Sequence, residues 1–355
     1  MRAALFYGGP DIRVEELADP TPGPGEVLVR VRSAGVCGSD LHGYRRARPA
    51  APSDTPRERR QSGHELAGTV EALGAGVTGL VVGERVGIEP EHLIGCGACR
   101  DCLRGETHLC PRRGQRHGER QSSHGFSELD VCDARNVHAL PDSVSFDAAS
   151  TLDCYACAVH AARRAPVGPY ATAVVIGTGM IGMNVGQVAR ALGAGRVLMV
   201  GTRRAPLEMA RAAGAADEGV AASEGDPVEA VLELTGGEGA EVVYETVGGD
   251  APTLDQAVRM ARRGGTVCVM GIFTTPPTLD VAVAYRKELT VLWSNSYSRW
   301  DGISEYDIAL ELVARGKVRV EPLITHHFPL ERIGEAFAAA NDKRVSQAIK
   351  VLVHA

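Results

Sequence analysis

The sequence predicts a two-domain α/β protein: a small, irregular β-barrel, then a doubly wound parallel sheet. Three observations predict it. The chain has 355 residues, too many for one ordinary core. Its first half is strand-rich and punctuated by Gly and Pro. Near residue 155 the texture changes to apolar strands alternating with Ala-rich helices.

The N-terminus, M-R-A-A-L-F-Y-G-G-P, is read as a first strand. D-P-T-P-G-P-G-E is a loop, and V-L-V-R-V-R-S-A-G alternates with period two like a half-buried strand. L-A-G-T-V-E-A-L-G-A-G-V and V-V-G-E-R-V-G-I read as further short strands with glycine turns, a pattern of small barrels. The stretch from Arg45 to Arg60 is polar and Arg-rich and reads as a loop. From Thr172, A-V-V-I-G precedes a helix over M-I-G-M-N-V-G-Q-V-A-R-A-L-G. V-L-M-V precedes a helix over P-L-E-M-A-R-A-A-G. E-V-V-Y-E-T-V is a strand, L-D-Q-A-V-R-M-A-R-R-G-G a helix with a glycine stop, and T-V-C-V-M-G-I a strand. This βαβ alternation implies a parallel sheet. E-Y-D-I-A-L-E-L-V-A-R-G-K-V is an amphipathic helix expected to pack on the first domain.

Composition narrows the function classes. The chain is 44% hydrophobic and 23% charged, with net charge −6. That balance argues against nucleic acid as a partner. No apolar run approaches a membrane span of about 20 residues, and the N-terminus lacks a secretory signal. Nine cysteines, an odd number in a long chain, point to metal ligation in a reducing cytoplasm rather than to a disulfide framework.

Cys96, Cys99, Cys102 and Cys110 form a C-x2-C-x2-C-x7-C run. Four thiolates on one short loop suit a closed, tetrahedral, structural zinc site. A second set is scattered: Cys37 in G-V-C-G-S-D-L-H, His64 and Glu65 in G-H-E, with Asp153 as an addition. Three or four mixed ligands from separate segments leave room for water or substrate, the pattern of a catalytic zinc. Singly, a Cys reads as a small core residue and a His-Glu pair as surface.

Gly177-Thr178-Gly179-Met180-Ile181-Gly182 is a G-x-G-x-x-G sequence that follows an apolar strand and opens a helix. In that context it reads as a dinucleotide fingerprint, against the alternative of a simple glycine turn. Gly177 would permit the tight turn, Gly179 the approach of a pyrophosphate, and Gly182 close helix–strand packing. The next strand ends in Val200-Gly201-Thr202-Arg203-Arg204. An NAD site places a carboxylate about here for the ribose 2′-hydroxyl. Gly201 stands in its place, followed by a hydroxyl and two guanidiniums, which suit a 2′-phosphate. NADP is therefore expected in preference to NAD; the alternative is a solvated basic loop.

These motifs together resemble the zinc-dependent medium-chain dehydrogenase/reductase family, the alcohol and polyol dehydrogenases. Gly63-His64-Glu65-x2-Gly68-x5-Gly74-x2-Val77, the four-cysteine loop, Gly83-Glu84-Arg85-Val86 and Gly177–Gly182 fall in the family's order along essentially the whole chain. The resemblance implies a GroES-like β-barrel catalytic domain over residues 1–156 and 298–355, with a structural-zinc lobe at about 95–112. It implies a Rossmann domain over 157–297. It makes Cys37 and His64 catalytic-zinc ligands, and Glu65 a ligand or its close neighbour. A register on His160-Ala161 puts Asp153 at the remaining ligand position, with Cys154 as the rival. Ser39 and His42 resemble the family's proton relay, a hydroxyl and then an imidazole.

The implied reaction moves a hydride between a secondary alcohol or polyol, or its ketone, and NADP(H), with two zincs per chain and a homodimer or homotetramer as the assembly. Zinc would act as a Lewis acid on the substrate oxygen. A threonine- or amino-alcohol-type dehydrogenase using NAD(H) and a non-catalytic NADPH-binding protein are the alternative readings. Tyr44 is a candidate pocket wall. Arg45, Arg46, Arg48, Arg57, Arg59 and Arg60 could attract an anionic substrate, although such runs are usually solvated loops.

Overall fold

The computed structural model describes residues 1–45, 63–90, 93–113 and 125–355. Of the arginine run only Arg45 lies among them; Arg46, Arg48, Arg57, Arg59 and Arg60 lie outside the described residues. The chain divides into two compact units. One comprises Met1–Asp153, Ser298–Leu310 and Ile324–Ala355; the other comprises Cys154–Tyr297 and Glu311–Leu323. Residues 311–323, expected with the first domain, therefore group with the second.

The first unit begins with the hairpin β1 (Arg2–Gly8) and β2 (Asp11–Glu16). β3 (Glu26–Gly35) is the axis of its main sheet. Helix α1 (Asp40–Tyr44) follows, then β4 (Glu65–Leu73) and β5 (Arg85–Ile88). Next come α2 (Arg100–Leu103) in the cysteine lobe, β6 (Leu129–Asp133), β7 (Val137–Ala139), α3 (Phe146–Ala149) and the start of α4 (Leu152–Arg164). β3 pairs antiparallel with β4 along one edge. Its other edge takes β6 over Glu26–Arg30. Val27, Val29 and Val31 are buried, matching the period-two reading, and pack in one core with Leu66, Val86, Phe126 and Phe337.

The second unit holds six parallel strands: β8 (Thr172–Ile176), β9 (Arg196–Gly201), β10 (Glu218–Ala221), β11 (Ala240–Glu245), β12 (Ala261–Val269) and β13 (Thr290–Trp293). Their order is β10-β9-β8-β11-β12-β13. In the order of the strands along this unit that is 3-2-1-4-5-6, and the reversal between β8 and β11 is where such sheets bind ligands. Helices α5 (Met180–Ala191), α6 (Arg204–Ala212), α7 (Pro227–Leu234), α8 (Thr253–Met260) and α9 (Val281–Arg286) alternate with the strands. α8 was expected to run on to the glycine pair after Arg263. It stops at Met260, and Ala261 already pairs with Ala240 of β11 before a register shift. β-sheet pairing, with Gly264 at φ +66, overrides the helical pattern of A-R-R.

The chain ends with the short pair β14 (Arg299–Trp300) and β15 (Ile303–Ser304), α10 (Glu305–Ala314), β16 (Ile324–Pro329), α11 (Ile333–Asn341), α12 (Lys343–Ser346) and β17 (Lys350–His354). β17 completes the first unit's sheet. It pairs parallel with β16 and antiparallel with the end of β3, where Leu352 faces Gly35. Among the described residues no helix is long and apolar enough to cross a membrane.

A histidine brings the end of the first unit back to its middle. His138 on β7 meets Asp307 of α10 at 2.7 Å through Nδ1 and Glu89 at 3.2 Å through Nε2. Its ring lies 4.6 Å from that of Tyr306. Burial opposes a charge on His138, but hydrogen bonds to Asp307 and Glu89 and their charges prevail and raise its pKa to about 9. A folded pKa above the unfolded value of about 6.5 means stability that is full below pH 6.5 and lost as pH rises through 9. Asp307 is 51% exposed, so the effect is discounted to the order of 1–2 kcal/mol. In denaturant melts at pH 6 and pH 9.5, His138→Gln should be less stable than wild type by that amount at the lower pH. At the higher pH the two should nearly coincide; a gap independent of pH would contradict the charge-pair reading.

Candidate metal and dinucleotide sites

Pairing of β3 with β4 brings together residues far apart in sequence. Gly35 faces Glu65 across the sheet. Cys37, just past the end of β3, and His64, just before β4, therefore flank the same sheet end. One ligand atom each from Cys37, His64 and Glu65 lie within 4.8 Å of one another. Asp153, in the first turn of α4, brings a carboxylate oxygen within 4.8 Å of Glu65. Cys154, the rival, stands in the same group of possible ligands as Glu65 and Asp153 and is 3% exposed.

Two residues absent from the sequence reading complete this cluster. Asp40 accepts a hydrogen bond from the Cys37 amide at 2.8 Å, which pins the loop. Its other oxygen stands 3.7 Å from His64 Nδ1. At that distance the carboxylate is a charge on the Nδ1 side of the ring rather than a hydrogen-bond acceptor. Burial works against a proton on His64. Even so, the neighbouring Cys37, Asp40 and Asp153 side chains raise its pKa well above the ordinary value. Burial raises the pKa of Asp40. A thiol, an imidazole and carboxylates brought together from separate segments are the donor types of a mixed-ligand zinc.

The second residue is Lys350 on β17. Its Nζ donates to Glu65 Oε2 in a short ion pair and to the carbonyl of Val36 at 3.3 Å. The two side chains are 2% and 0% exposed. The pair passes over Gly35: a Cβ there would lie 2.2 Å from Glu65 Oε2 and 2.7 Å from Lys350 Cε. Glycine at 35 is thus a packing requirement of the ion pair. Ser39, which precedes α1, and His42, within it, are both exposed, three residues apart on one turn.

The cysteine lobe is a separate centre. One sulfur each from Cys96, Cys99, Cys102 and Cys110 lie within 4.8 Å of one another, and no cysteine is in a disulfide. Cys99–Cys110 and Cys96–Cys102 sulfur distances are 3.7 and 4.0 Å. A zinc–sulfur bond of about 2.3 Å implies tetrahedral edges of about 3.8 Å, so the cage has the right size. Amides of Cys96 and Arg112 donate to Cys110 Sγ, and that of Cys102 to Cys99 Sγ. Arg112 Nη2 lies 3.1 Å from Cys96 Sγ. The Ala98 amide, with that of Cys99, draws the Cys96 thiol down to about 6, whereas burial pushes Cys102 up to about 12. Without a cation the cage cannot hold four thiolates.

In the second unit the fingerprint's glycines divide three tasks. Gly177 has φ +117, and a Cβ there would strike Thr246 Oγ1 at 2.5 Å. Gly182 approaches its own turn, where a Cβ would sit 2.1 Å from the Gly177 carbonyl oxygen. At Gly179 a Cβ would meet nothing within 4 Å; the turn is open there, as a phosphate approach needs. Met180 is buried and Ile181 half-buried in the first turn of α5. Gly201 ends β9, and a Cβ on it would lie 2.4 Å from Thr178 Cγ2. Thr202 is exposed, and Arg203 precedes α6 with extended backbone. Arg204 is paired with Glu224 at the surface.

The buried ion pair gives a test independent of any metal. Lys350→Met and Glu65→Gln each leave one buried charge without its counter-charge and should each cost about 3–5 kcal/mol. The double variant should recover part of the loss in a denaturation cycle. Strictly additive losses would show that the two side chains are not coupled.

Comparison with known proteins places the chain in a family. The family described as "Alcohol dehydrogenase GroES-like domain" matches residues 23–142, and "Zinc-binding dehydrogenase" matches residues 181–315. Sorbitol dehydrogenase of Halalkalibacterium halodurans is 32% identical over 98% of this chain and 96% of its own. The 2-dehydro-3-deoxy-L-galactonate 5-dehydrogenase of Pseudoalteromonas atlantica is 32% identical over 99% of this chain and 98% of its own. Among solved structures, a zinc-binding dehydrogenase of Sinorhizobium meliloti bound to NADP superposes with a TM-score of 0.84 at 26% identity, covering 100% and 99% of the two chains. An alcohol dehydrogenase of Escherichia coli CFT073 complexed with NADH gives 0.85 at 25% identity, covering 100% and 99%. With its GroES-like and Rossmann halves, this chain belongs to the zinc-dependent medium-chain alcohol and polyol dehydrogenase family.

Proposed function

We propose that the protein oxidises a secondary alcohol or polyol, or reduces the ketone, with NADP(H) as hydride partner. The observation that carries this reading is the convergence of Cys37, His64 and Glu65, with Asp153 beside Glu65. Relatives named for sorbitol, L-idonate and 2-dehydro-3-deoxy-L-galactonate support a polyhydroxylated substrate. Cys37, His64 and Asp153 would hold the catalytic zinc, which when bound supplies Lewis acidity to the substrate oxygen. Glu65, engaged by Lys350, would stay beside that ligand set. Asp40 places a carboxylate on the Nδ1 side of His64. Ser39 would take the substrate proton and His42 pass it to solvent, both from exposed positions one turn apart. Cys96, Cys99, Cys102 and Cys110 would hold a second zinc that only maintains the lobe.

Two zincs with different duties make a direct prediction. Cys37→Ala should remove one zinc per chain and abolish turnover while the melting temperature changes little. Cys99→Ser should remove the other and lower stability, because structural metal binding is coupled to folding. Metal analysis of freshly prepared wild type that finds one zinc or none would contradict this division.

Preference for NADP(H) is supported by the end of β9. Gly201 leaves no carboxylate to accept from a ribose hydroxyl or to repel a 2′-phosphate. Thr202 and Arg203 stand next in line, and Arg204 would exchange Glu224 for the phosphate. One charge-assisted hydrogen bond contributes roughly 1.5–3 kcal/mol, and partial exposure favours the lower figure, about tenfold in affinity. Side-by-side kinetics should give at least that advantage in kcat/KM to NADP; equal or better efficiency with NAD would overturn the reading. Reversing the preference should require Gly201→Asp with Arg203→Ala and also Thr178→Ala, because Thr178 fills the space beside position 201.

A further inference from the structure

A third group of metal-type side chains lies in the first unit, apart from the two centres above. His327 is on β16 and His354 on β17. The two strands are parallel, with His327 beside Leu352 and Pro329 beside His354. His327 and His354 are thus diagonal neighbours two positions apart, on the same face of the sheet. Asp147, from α3, reaches both. Its Oδ1 is 2.9 Å from His354 Nε2 and its Oδ2 is 3.6 Å from His327 Nδ1. The imidazole rings are 5.2 Å apart. One ligand atom from each of the three lies within 4.8 Å of the other two.

One of the two separations matches a shared cation better than an ion pair, and the other lies within a small side-chain movement of it. At 3.6 Å the His327 contact is too long for a hydrogen bond. It is close to the tetrahedral edge of about 3.4 Å implied by zinc–nitrogen and zinc–oxygen bonds of about 2.1 Å. The His354 contact would need to open by about 0.5 Å to reach that edge. The side chains have room to do so, being 32% exposed at Asp147, 47% at His327 and 39% at His354. Two imidazoles and one carboxylate are donors suited to zinc, nickel and copper rather than to calcium or magnesium. The exposed side leaves the remaining positions to water.

We propose that Asp147, His327 and His354 form a surface site for a divalent transition metal of the zinc class. A metal there would tie α3 to β16 and β17. β17 also carries Lys350, so the site would brace the strand that holds Glu65. The site performs no step of the dehydrogenase reaction and stands whether or not that reading of the chain holds.

The test uses the intact protein with its native metals in place. Nickel is added after dialysis against metal-free buffer, and binding is read by calorimetry and by melting temperature. Wild type should take up one saturable equivalent in the micromolar range and melt at a higher temperature. His327→Gln and Asp147→Asn should each weaken binding at least tenfold and remove the thermal shift. Copper(II) paramagnetic resonance on the unmodified protein gives a reading that needs no variant: two imidazole nitrogens are expected on the added ion. No saturable uptake, uptake undiminished in both variants, or a copper signal without two imidazoles would overturn the proposal.

Discussion

The buried ion pair between Lys350 and Glu65 is the constraint on which the first unit depends. Both charges are removed from water, at 2% and 0% exposure. Such a pair is tolerable only when its geometry is good and the remaining protons and lone pairs have partners. The Val36 carbonyl serves Lys350, and Gly35 supplies the absence of a side chain that lets the pair cross β3. The pair ties the last strand of the chain to the first residue of β4. His64 is the adjacent residue and Cys37 lies just beyond the facing strand end. The ion pair thus sits at the sheet end where Cys37, His64 and Glu65 converge.

The two metal-type centres differ in how their electrostatics are arranged. In the cysteine lobe, backbone amides and Arg112 converge on sulfur, and the loop is self-contained. A cage of that kind needs only its own short segment. Around His64 the interacting side chains come from Cys37, Asp40 and Asp153, three separate positions, and Glu65 is already engaged by a lysine. With Glu65 committed to Lys350, the proposed ligands Cys37, His64 and Asp153 would number three, which is what an open, reactive position requires. In the second unit glycines do the corresponding work: one turns, one packs, and one leaves room.

What could be read in the sequence was mostly what is local. The C-x2-C-x2-C-x7-C run and the G-x-G-x-x-G turn declare themselves within fifteen residues, and the period of β3 gives its buried valines. Lys350 could not be read that way. It lies 285 positions from Glu65, and nothing in K-V-L-V-H distinguishes a buried lysine from the solvated end of a strand. Asp40 was within reach, since a carboxylate three residues after Cys37 can accept backwards from its amide, as it does. α8 ended earlier than its pattern suggested because β-sheet pairing of Ala261 prevailed over helical periodicity. The cluster of Asp147, His327 and His354 depends on the register of two parallel strands, which no local pattern reveals.

The most direct test of the account is the position of zinc in crystals of the intact protein, located by anomalous scattering at the zinc edge. The account predicts two sites per chain under native metal content. One is enclosed by the four cysteine sulfurs. The other is held by Cys37, His64 and Asp153, with Glu65 still paired to Lys350. A second zinc bound through Cys154, a Glu65 carboxylate drawn off Lys350 onto the metal, or no metal near His64 would contradict it.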